Sequence, residues 1–145
     1  MKALIQRVSN AKVEIEGKIT SEINQGILVF LGIEKADEKP QVDKMIKKLL
    51  AYRVFYDSQE KMNLSLTDIN GGMLLVSQFT LAADTKSGTR AGFSSAKSPA
   101  PAKDLYDYFL TQIKQVHSPI ASGIFGADMQ VSLTNDGPVT FLLEC

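Results

Sequence analysis

The chain has 145 residues, of which 44% are hydrophobic and 22% are charged. This length and composition fit one globular domain with its own core and exclude a disordered or fibrous chain. Sixteen basic residues balance sixteen acidic ones, so the chain lacks the overall positive charge typical of proteins that bind long stretches of nucleic acid.

Membrane and export signals are missing from the sequence. The longest apolar run, residues 26–33, is far shorter than the roughly 20 residues of a membrane-spanning helix, and the N-terminal segment has no signal-peptide core. The single cysteine, Cys145, excludes an internal disulfide and favours a reducing compartment. We therefore predict one cytoplasmic domain over residues 1–145, with no membrane partner.

The first third of the chain predicts a hairpin, a central strand and a helix. Residues 12–16 and 19–23 alternate around a turn at Gly17, as hairpin strands do. The apolar run 26–33 predicts a strand covered on both faces. Apolar residues from Val42 to Leu50 recur at spacings of three and four, with Pro40 ahead of them, which predicts an amphipathic helix.

The rest of the chain continues this alternation. We predict strands over residues 53–56 and 73–81, separated by a polar excursion, and a long loop over 82–101 of the kind that is often functional. A second amphipathic helix follows from Leu105 to Val116, with Ser98 as a candidate cap. The tail predicts strands over 120–125, 128–133 and 139–143, with a turn at 135–137. This order indicates an α/β domain with largely antiparallel sheets and two helices on one side.

Most catalytic signatures are missing. The sequence has no Walker loop, no dinucleotide-binding glycine motif and no metal-ligand spacing of cysteine or histidine, so no metal or cofactor is expected. The single histidine, His117, follows a predicted helix end, where an interaction with helix carbonyls is the ordinary explanation. A Ser-His-Asp triad is therefore hard to assemble.

Two segments are unusual on physical grounds. Ser77, Gln78 and Thr80 interrupt a strand that is predicted to be buried, which indicates a pocket at its end, although these side chains could equally satisfy neighbouring loops. In the segment 135–140, Gly137 precedes Pro138, and proline is the residue type for which a cis peptide bond costs little. An ordinary turn is the alternative interpretation.

Together, Ser77-Gln78-Phe79-Thr80-Leu81 and Asn135-Asp136-Gly137-Pro138-Val139-Thr140 resemble the two signature motifs of the D-aminoacyl-tRNA deacylase family. The similarity extends over the chain, including Leu4-Ile5-Gln6-Arg7-Val8, Lys61-Met62-Asn63, Leu105-Tyr106-Asp107-Tyr108-Phe109 and Ala127-Asp128-Met129-Gln130-Val131. One segment departs: Thr89-Arg90-Ala91-Gly92-Phe93 lacks the Pro-Ser that commonly precedes this phenylalanine in the family.

The resemblance implies a barrel-like homodimer that hydrolyses the ester of D-aminoacyl-tRNA, and of mischarged glycyl-tRNA, as chiral proofreading in translation. In the family the Gly137–Pro138 peptide is cis, and its two carbonyls enter the partner's pocket beside residues 77–80. There they reject L-amino acids by steric clash, whereas a trans peptide would admit them. The resemblance makes Ser77, Asn135, Gly137 and Pro138 substrate-binding residues.

The same resemblance makes Gln78, Phe79 and Thr80 catalytic residues and leaves two accounts of ester cleavage. In one, the Thr80 hydroxyl is the nucleophile, although no base stands beside it in sequence. In the other, which we favour, backbone amides around Gln78 and Phe79 polarise the ester carbonyl and the 2′-hydroxyl of the terminal adenosine helps to activate water.

The expected partner is the acceptor end of aminoacylated tRNA. Lys86, Arg90 and Lys97, in or near the long loop, are candidates for phosphate contacts. Two other functions stay open: a non-catalytic module that binds RNA, protein or a small ligand, and a deacylase that has shifted substrate, for example to L-alanine on a mischarged tRNA.

Overall fold

The computed structural model describes residues 1–145 and contains eight strands, three α-helices and one 3₁₀ turn. The strands are β1 (Lys2–Ile15), β2 (Lys18–Ile23), β3 (Gly26–Gly32), β4 (Arg53–Tyr56), β5 (Met62–Ser65), β6 (Gly72–Ser77), β7 (Ile120–Ser122) and β8 (Gln130–Glu144). The helices are α1 (Lys39–Ala51), α2 (Leu66–Ile69) and α3 (Pro99–Val116), and the 3₁₀ turn spans Phe79–Ala82. None of the helices combines the length and the hydropathy that a membrane-spanning segment requires.

Six strands form one sheet in the order β2-β1-β3-β6-β7, and β8 pairs with the other edge of β1. The pairings of β1 with β2, β3 and β8 are antiparallel, whereas β3 with β6 and β6 with β7 are parallel. β3 lies in the middle, and every residue of it is buried except the half-buried Phe30. The predicted central strand and the largely antiparallel sheet are therefore confirmed.

Two apolar cores lie on opposite faces of this sheet. The larger, with 23 buried residues, joins the sheet to α1 and α3, which confirms two main helices on one side. The smaller has seven buried residues from β1, β2, β3 and β6, and β2 also lies close to β6 and β7. The sheet therefore curls around the smaller core into a nearly closed, barrel-like form.

The polar excursion predicted between residues 57 and 70 is wrong in part, because it contains β5 and α2. Ser65 accepts a hydrogen bond from the backbone N–H of Asp68, and the Asp68 side chain accepts one from the backbone of Ser65. This reciprocal capping box starts the helix. Four-residue elements carry too few positions for a periodic pattern to reveal them.

The strand predicted over residues 73–81 ends at Ser77. The chain then makes the 3₁₀ turn, in which Phe79 and Thr80 are exposed. Gln78 and Thr80 lie beyond the buried strand, so the prediction that they interrupt it is wrong for these two residues. Tertiary contacts override the strand propensity of residues 78–81.

The tail also differs from its prediction. β7 ends at Ser122, and residues 130–144 form one long strand without a chain reversal. Between the pairs Gln6–Thr140 and Val8–Asn135, β1 advances by two residues while β8 advances by five. The predicted turn at residues 135–137 is therefore a wide bulge that projects from a continuous strand.

Candidate active site

A cavity of about 820 Å³ opens at the end of β6. Twelve of its nineteen lining residues are hydrophobic, so it favours a ligand with apolar and aromatic surface. The lining residues are Phe30, Leu31, Ile33, Val76, Ser77, Gln78, Phe79, Phe93, Ala96, Lys97, Ser98, Pro99, Ala102, Phe125, Gly126, Ala127, Asp128, Met129 and Val131. The pocket predicted at this strand end is present, and the long loop supplies part of its wall.

Two exposed aromatic rings stand together on the cavity wall. The centroids of Phe79 and Phe93 are 5.2 Å apart at an interplanar angle of 47°, and the two residues are 61% and 46% exposed. Large apolar side chains are rarely left in water as a pair, and such exposed patches commonly mark binding surfaces. Flat aromatic faces of this kind can stack on a nucleobase or on an aromatic side chain of a ligand.

Tyr106 of α3 packs behind Phe125, which lines the cavity. Its buried hydroxyl lies 3.1 Å from the Leu75 carbonyl and 3.2 Å from the Gly123 carbonyl, and its ring packs on Phe125. Burial raises the pKa of Tyr106 well above its ordinary value. The hydroxyl therefore stays protonated and ties β6 to the segment that follows β7.

The backbone at residues 78–80 decides which amide groups are available to a ligand. The N–H of Gln78 donates to the Leu31 carbonyl at 2.8 Å, so it is already engaged. Phe79 begins the 3₁₀ turn, and the first N–H groups of a helix have no intrahelical acceptor. The amide of Phe79, on the cavity wall, is thus the better donor for a developing oxyanion.

Thr80 lies next to the cavity but does not line it. Its hydroxyl accepts a hydrogen bond of 2.6 Å from the Gln78 side-chain amide. No histidine or lysine contacts the hydroxyl, and the Gln78 amide is not a base. The structure therefore surrounds Thr80 with nothing that would activate it as a nucleophile.

Charged groups in the cavity are few. Lys97 and Asp128 are its only ionisable lining residues. No group of three or more His, Cys, Asp or Glu side chains is placed to hold a metal ion. Lys86 and Arg90 are exposed in the loop and do not line the cavity.

Residues 135–138 lie elsewhere in the protomer, on the β8 bulge. Asn135 stabilises the bulge: its side-chain oxygen accepts from the Val139 N–H at 3.1 Å and its amide donates to the Thr140 hydroxyl at 2.9 Å. The Gly137–Pro138 peptide is cis, as the resemblance implies. β1 and β3 separate β8 from β6 in the sheet, so one protomer does not bring the two motifs together.

Arg7, which no sequence pattern marked as functional, anchors this bulge. Its side chain is buried, and it donates to the Asp136 carbonyl at 3.0 Å and to the Val54 carbonyl at 2.8 Å. Its guanidinium also lies 4.6 Å from the centre of the Tyr56 ring. An arginine at an inward position of an alternating strand is the signal that could have revealed it.

The remaining reactive side chains stand apart from the cavity. His117 Nε2 lies 2.7 Å from the carbonyl of Gly71, the residue before β6. The predicted interaction of this side chain with the carbonyls of its own helix is therefore wrong. The Cys145 thiol contacts the Gln41 carbonyl, and burial raises its pKa. Neither residue lines the cavity.

The fold and the cavity define an α/β protein whose site relies on shape, aromatic faces and main-chain groups. The chain belongs to the D-Tyr-tRNA(Tyr) deacylase family, whose model matches residues 4–144. The D-aminoacyl-tRNA deacylases of Pseudomonas savastanoi pv. phaseolicola and Cellvibrio japonicus are 60% and 58% identical to it, over 99% of each chain.

Solved structures share the fold. One described as "c-Myc DNA Unwinding Element Binding Protein" superposes with a TM-score of 0.96 at 40% identity, covering 100% of this chain and 99% of that one. Another, of a probable eukaryotic D-amino acid tRNA deacylase, gives a TM-score of 0.83 at 16% identity and covers 98% and 97% of the two chains. At that identity the second comparison shows the fold alone.

Proposed function

We propose that this protein is a D-aminoacyl-tRNA deacylase: it hydrolyses the ester between a D-amino acid, or glycine, and the terminal adenosine of a tRNA. The observation that carries the proposal is the apolar cavity beside the Phe79 amide, in a chain 60% identical to a deacylase of that name. The expected role is proofreading of charged tRNA during translation, in the cytoplasm.

Catalysis is assigned to main-chain polarisation of the ester. The Phe79 N–H donates to the ester carbonyl oxygen and stabilises the negative charge that develops as water attacks the carbonyl carbon. The bond from that carbon to the ribose oxygen then breaks, and the ribose oxygen takes the proton. The 2′-hydroxyl of the adenosine helps to activate the water. This role for the substrate is consistent with the site, because no protein base contacts Thr80 to activate it in place of water.

Selectivity is assigned to Gly137 and Pro138 of a second copy of the chain. Their carbonyl oxygens enter the cavity beside Ser77 and exclude the side chain of an L-amino acid, while a D-residue presents only hydrogen on that side. Rejection by geometry accords with a cavity that has almost no charged specificity residues. Asn135 keeps the bulge in shape through its two hydrogen bonds.

This assignment requires a homodimer. β8 pairs with β1 along one edge, and its other edge has no partner strand in the protomer. Phe141 and Leu142 on β8 are 37% and 51% exposed. An unpaired edge with exposed apolar side chains is a surface that proteins usually cover, and a second copy would cover it while delivering residues 137–138.

The decisive experiment measures release of D-tyrosine and L-tyrosine from tRNA charged with each, using the purified protein. Release of the D-form alone supports the proposal. Comparable release of L-tyrosine, or of L-alanine from a mischarged tRNA, would favour a deacylase with shifted substrate. No release of either form would favour the binding module, an alternative that the description of the 40% identical solved structure keeps relevant.

The dimer is tested separately by light scattering of the purified protein. A mass of twice the 15.9 kDa chain supports the two-copy site. A monomer that still discriminates D- from L-tyrosine would refute the assignment of selectivity to a second copy, while leaving the deacylase activity standing.

A further inference from the structure

Lys97 is the only cation on the cavity wall. Its side chain is 10% exposed, and its Nζ donates to the Lys35 carbonyl at 3.0 Å and lies 3.4 Å from Glu38 Oε1. The same residue also lines a shallower groove with Lys39 and Asp104. Lys97 therefore lies between the cavity and this groove, and its ammonium group is held by Lys35 and Glu38, which do not line the cavity.

The fold does not depend on this ammonium group. The loop is tied at the same position by the backbone, because the Lys97 N–H donates to the Ile33 carbonyl at 3.0 Å. The carboxylate partner, Glu38, is 71% exposed, and ion pairs to such exposed groups contribute little. The stem of Lys97 is buried as part of the wall while the charge remains near water. A ligand phosphate would therefore compete for this ammonium group mainly with the exposed Glu38 carboxylate.

We propose that Lys97 Nζ binds the 5′-phosphate of the terminal adenosine when the aminoacyl end occupies the cavity. This inference rests on the proposed function. The aminoacyl nucleotide carries one phosphate, and the cavity wall offers one cation, Lys97, and one carboxylate, Asp128. A phosphate is attracted to the first and repelled by the second, so this pair orients the nucleotide. Because Glu38 is largely exposed and its ion pair contributes little, a phosphate can replace it as the partner of the ammonium group.

The test uses two small substrates that differ only in that phosphate: 3′-O-D-tyrosyl-adenosine and 3′-O-D-tyrosyl-adenosine 5′-monophosphate. We expect the wild type to hydrolyse the phosphorylated substrate with a kcat/KM about tenfold higher, which is the ratio expected for one such hydrogen bond. Lys97→Met, which keeps the buried stem, should abolish this preference. Lys97→Arg should retain most of it.

Lys114→Met is the matched control, because Lys114 is exposed on α3 and does not line the cavity; it should keep the wild-type preference. A preference that survives Lys97→Met would overturn the proposal. So would an equal loss on both substrates, which would indicate that Lys97 only supports the wall, or a loss confined to full tRNA, which would indicate an upstream phosphate. A wild type that hydrolyses neither small substrate nor D-tyrosyl-tRNA would refute the proposed function itself.

Discussion

Arg7 fills the space beside Gly137 that a side chain would need: a β-carbon added at Gly137 would lie 2.9 Å from Arg7 Nη2. The guanidinium occupies this space because Arg7 Nε donates to the neighbouring Asp136 carbonyl at 3.0 Å. The bulge that carries Gly137 and Pro138 is therefore shaped from within its own protomer by a residue of β1. Any proposal that uses these carbonyls depends on that contact.

Gly137→Ala should destabilise the bulge. Gly137 has φ of +129°, a conformation that is strained for any residue with a β-carbon, and the new methyl group would also press on Arg7 and Val139. We expect a loss of about 1–3 kcal/mol in the free energy of unfolding, measured by urea denaturation, together with lower D-tyrosyl-tRNA hydrolysis. Gly17→Ala is the control, since Gly17 also has positive φ but nothing within 4 Å of its β-carbon position. An equal effect in both variants would contradict the role of the contact.

Arg7→Met should cost about 2–3 kcal/mol of stability, because it leaves the buried Val54 carbonyl and the Asp136 carbonyl without their charged donor. Chemical denaturation measures this. Lys12→Met is the control: Lys12 lies on the same strand, but its ion pair is with the partly exposed Glu14. This variant should change the free energy of unfolding by less than about 0.5 kcal/mol. If the two variants are equally stable, Arg7 does not anchor the bulge.

Thr80→Ala should keep D-tyrosyl-tRNA hydrolysis within about tenfold of the wild-type rate, whereas loss of a nucleophile costs roughly 10⁴-fold or more. The physical reason is that the Thr80 hydroxyl contacts the Gln78 side-chain amide, which is no base. Single-turnover deacylation is the measurement, with circular dichroism to verify folding. A folded variant that has lost several orders of magnitude would make Thr80 the nucleophile.

The Met1 amino group provides a pH-dependent contribution to stability. Burial lowers the pKa of this group, but the hydrogen bonds and charges of Asp37 and Glu34 together raise it by more than burial lowers it. The pKa therefore lies above its ordinary value of 8.0. Because the pKa is raised in the folded state, this stabilisation is complete below the unfolded pKa and is lost as pH rises through the folded one.

Asp37→Asn removes the 2.8 Å ion pair with that amino group. We expect it to destabilise the protein by about 1–3 kcal/mol near pH 7, and the difference from wild type should shrink as pH rises above 8. Thermal melts at several pH values measure this. Asp107→Asn, which breaks the exposed pair with Lys103, should show no such trend. A difference that grows with pH would contradict the argument.

Tyr106→Phe should lower the free energy of unfolding by about 1–2 kcal/mol, since it removes the hydroxyl that donates to the Gly123 carbonyl and to the Leu75 carbonyl, although the Leu75 carbonyl keeps the Gly123 N–H as a donor. For a chain of this size the melting temperature should fall by roughly 2–8 °C. Tyr108→Phe, which removes a hydrogen bond to the half-buried Asp43, is the control and should cost less. Equal melting temperatures for wild type and Tyr106→Phe would show that the hydroxyl does not hold the cavity wall.

Patterns that repeat along the chain were enough to predict β3, α1 and α3, because burial on a regular element imposes a period that the residues themselves display. The two signature segments were equally visible, since they are contiguous. α2 and the 3₁₀ turn at Phe79 were missed because they are single turns, and their start depends on caps and contacts more than on periodicity.

Residue order alone thus established the α/β class, the main elements and the family resemblance. The folded chain was needed for the rest: the parallel pairing of β3 with β6, the engagement of the Gln78 amide by Leu31, and the placement of Arg7 behind Gly137. Each joins residues that are tens to more than a hundred positions apart. Local propensity carries no information about such partners, because a donor's acceptor is chosen by packing in three dimensions.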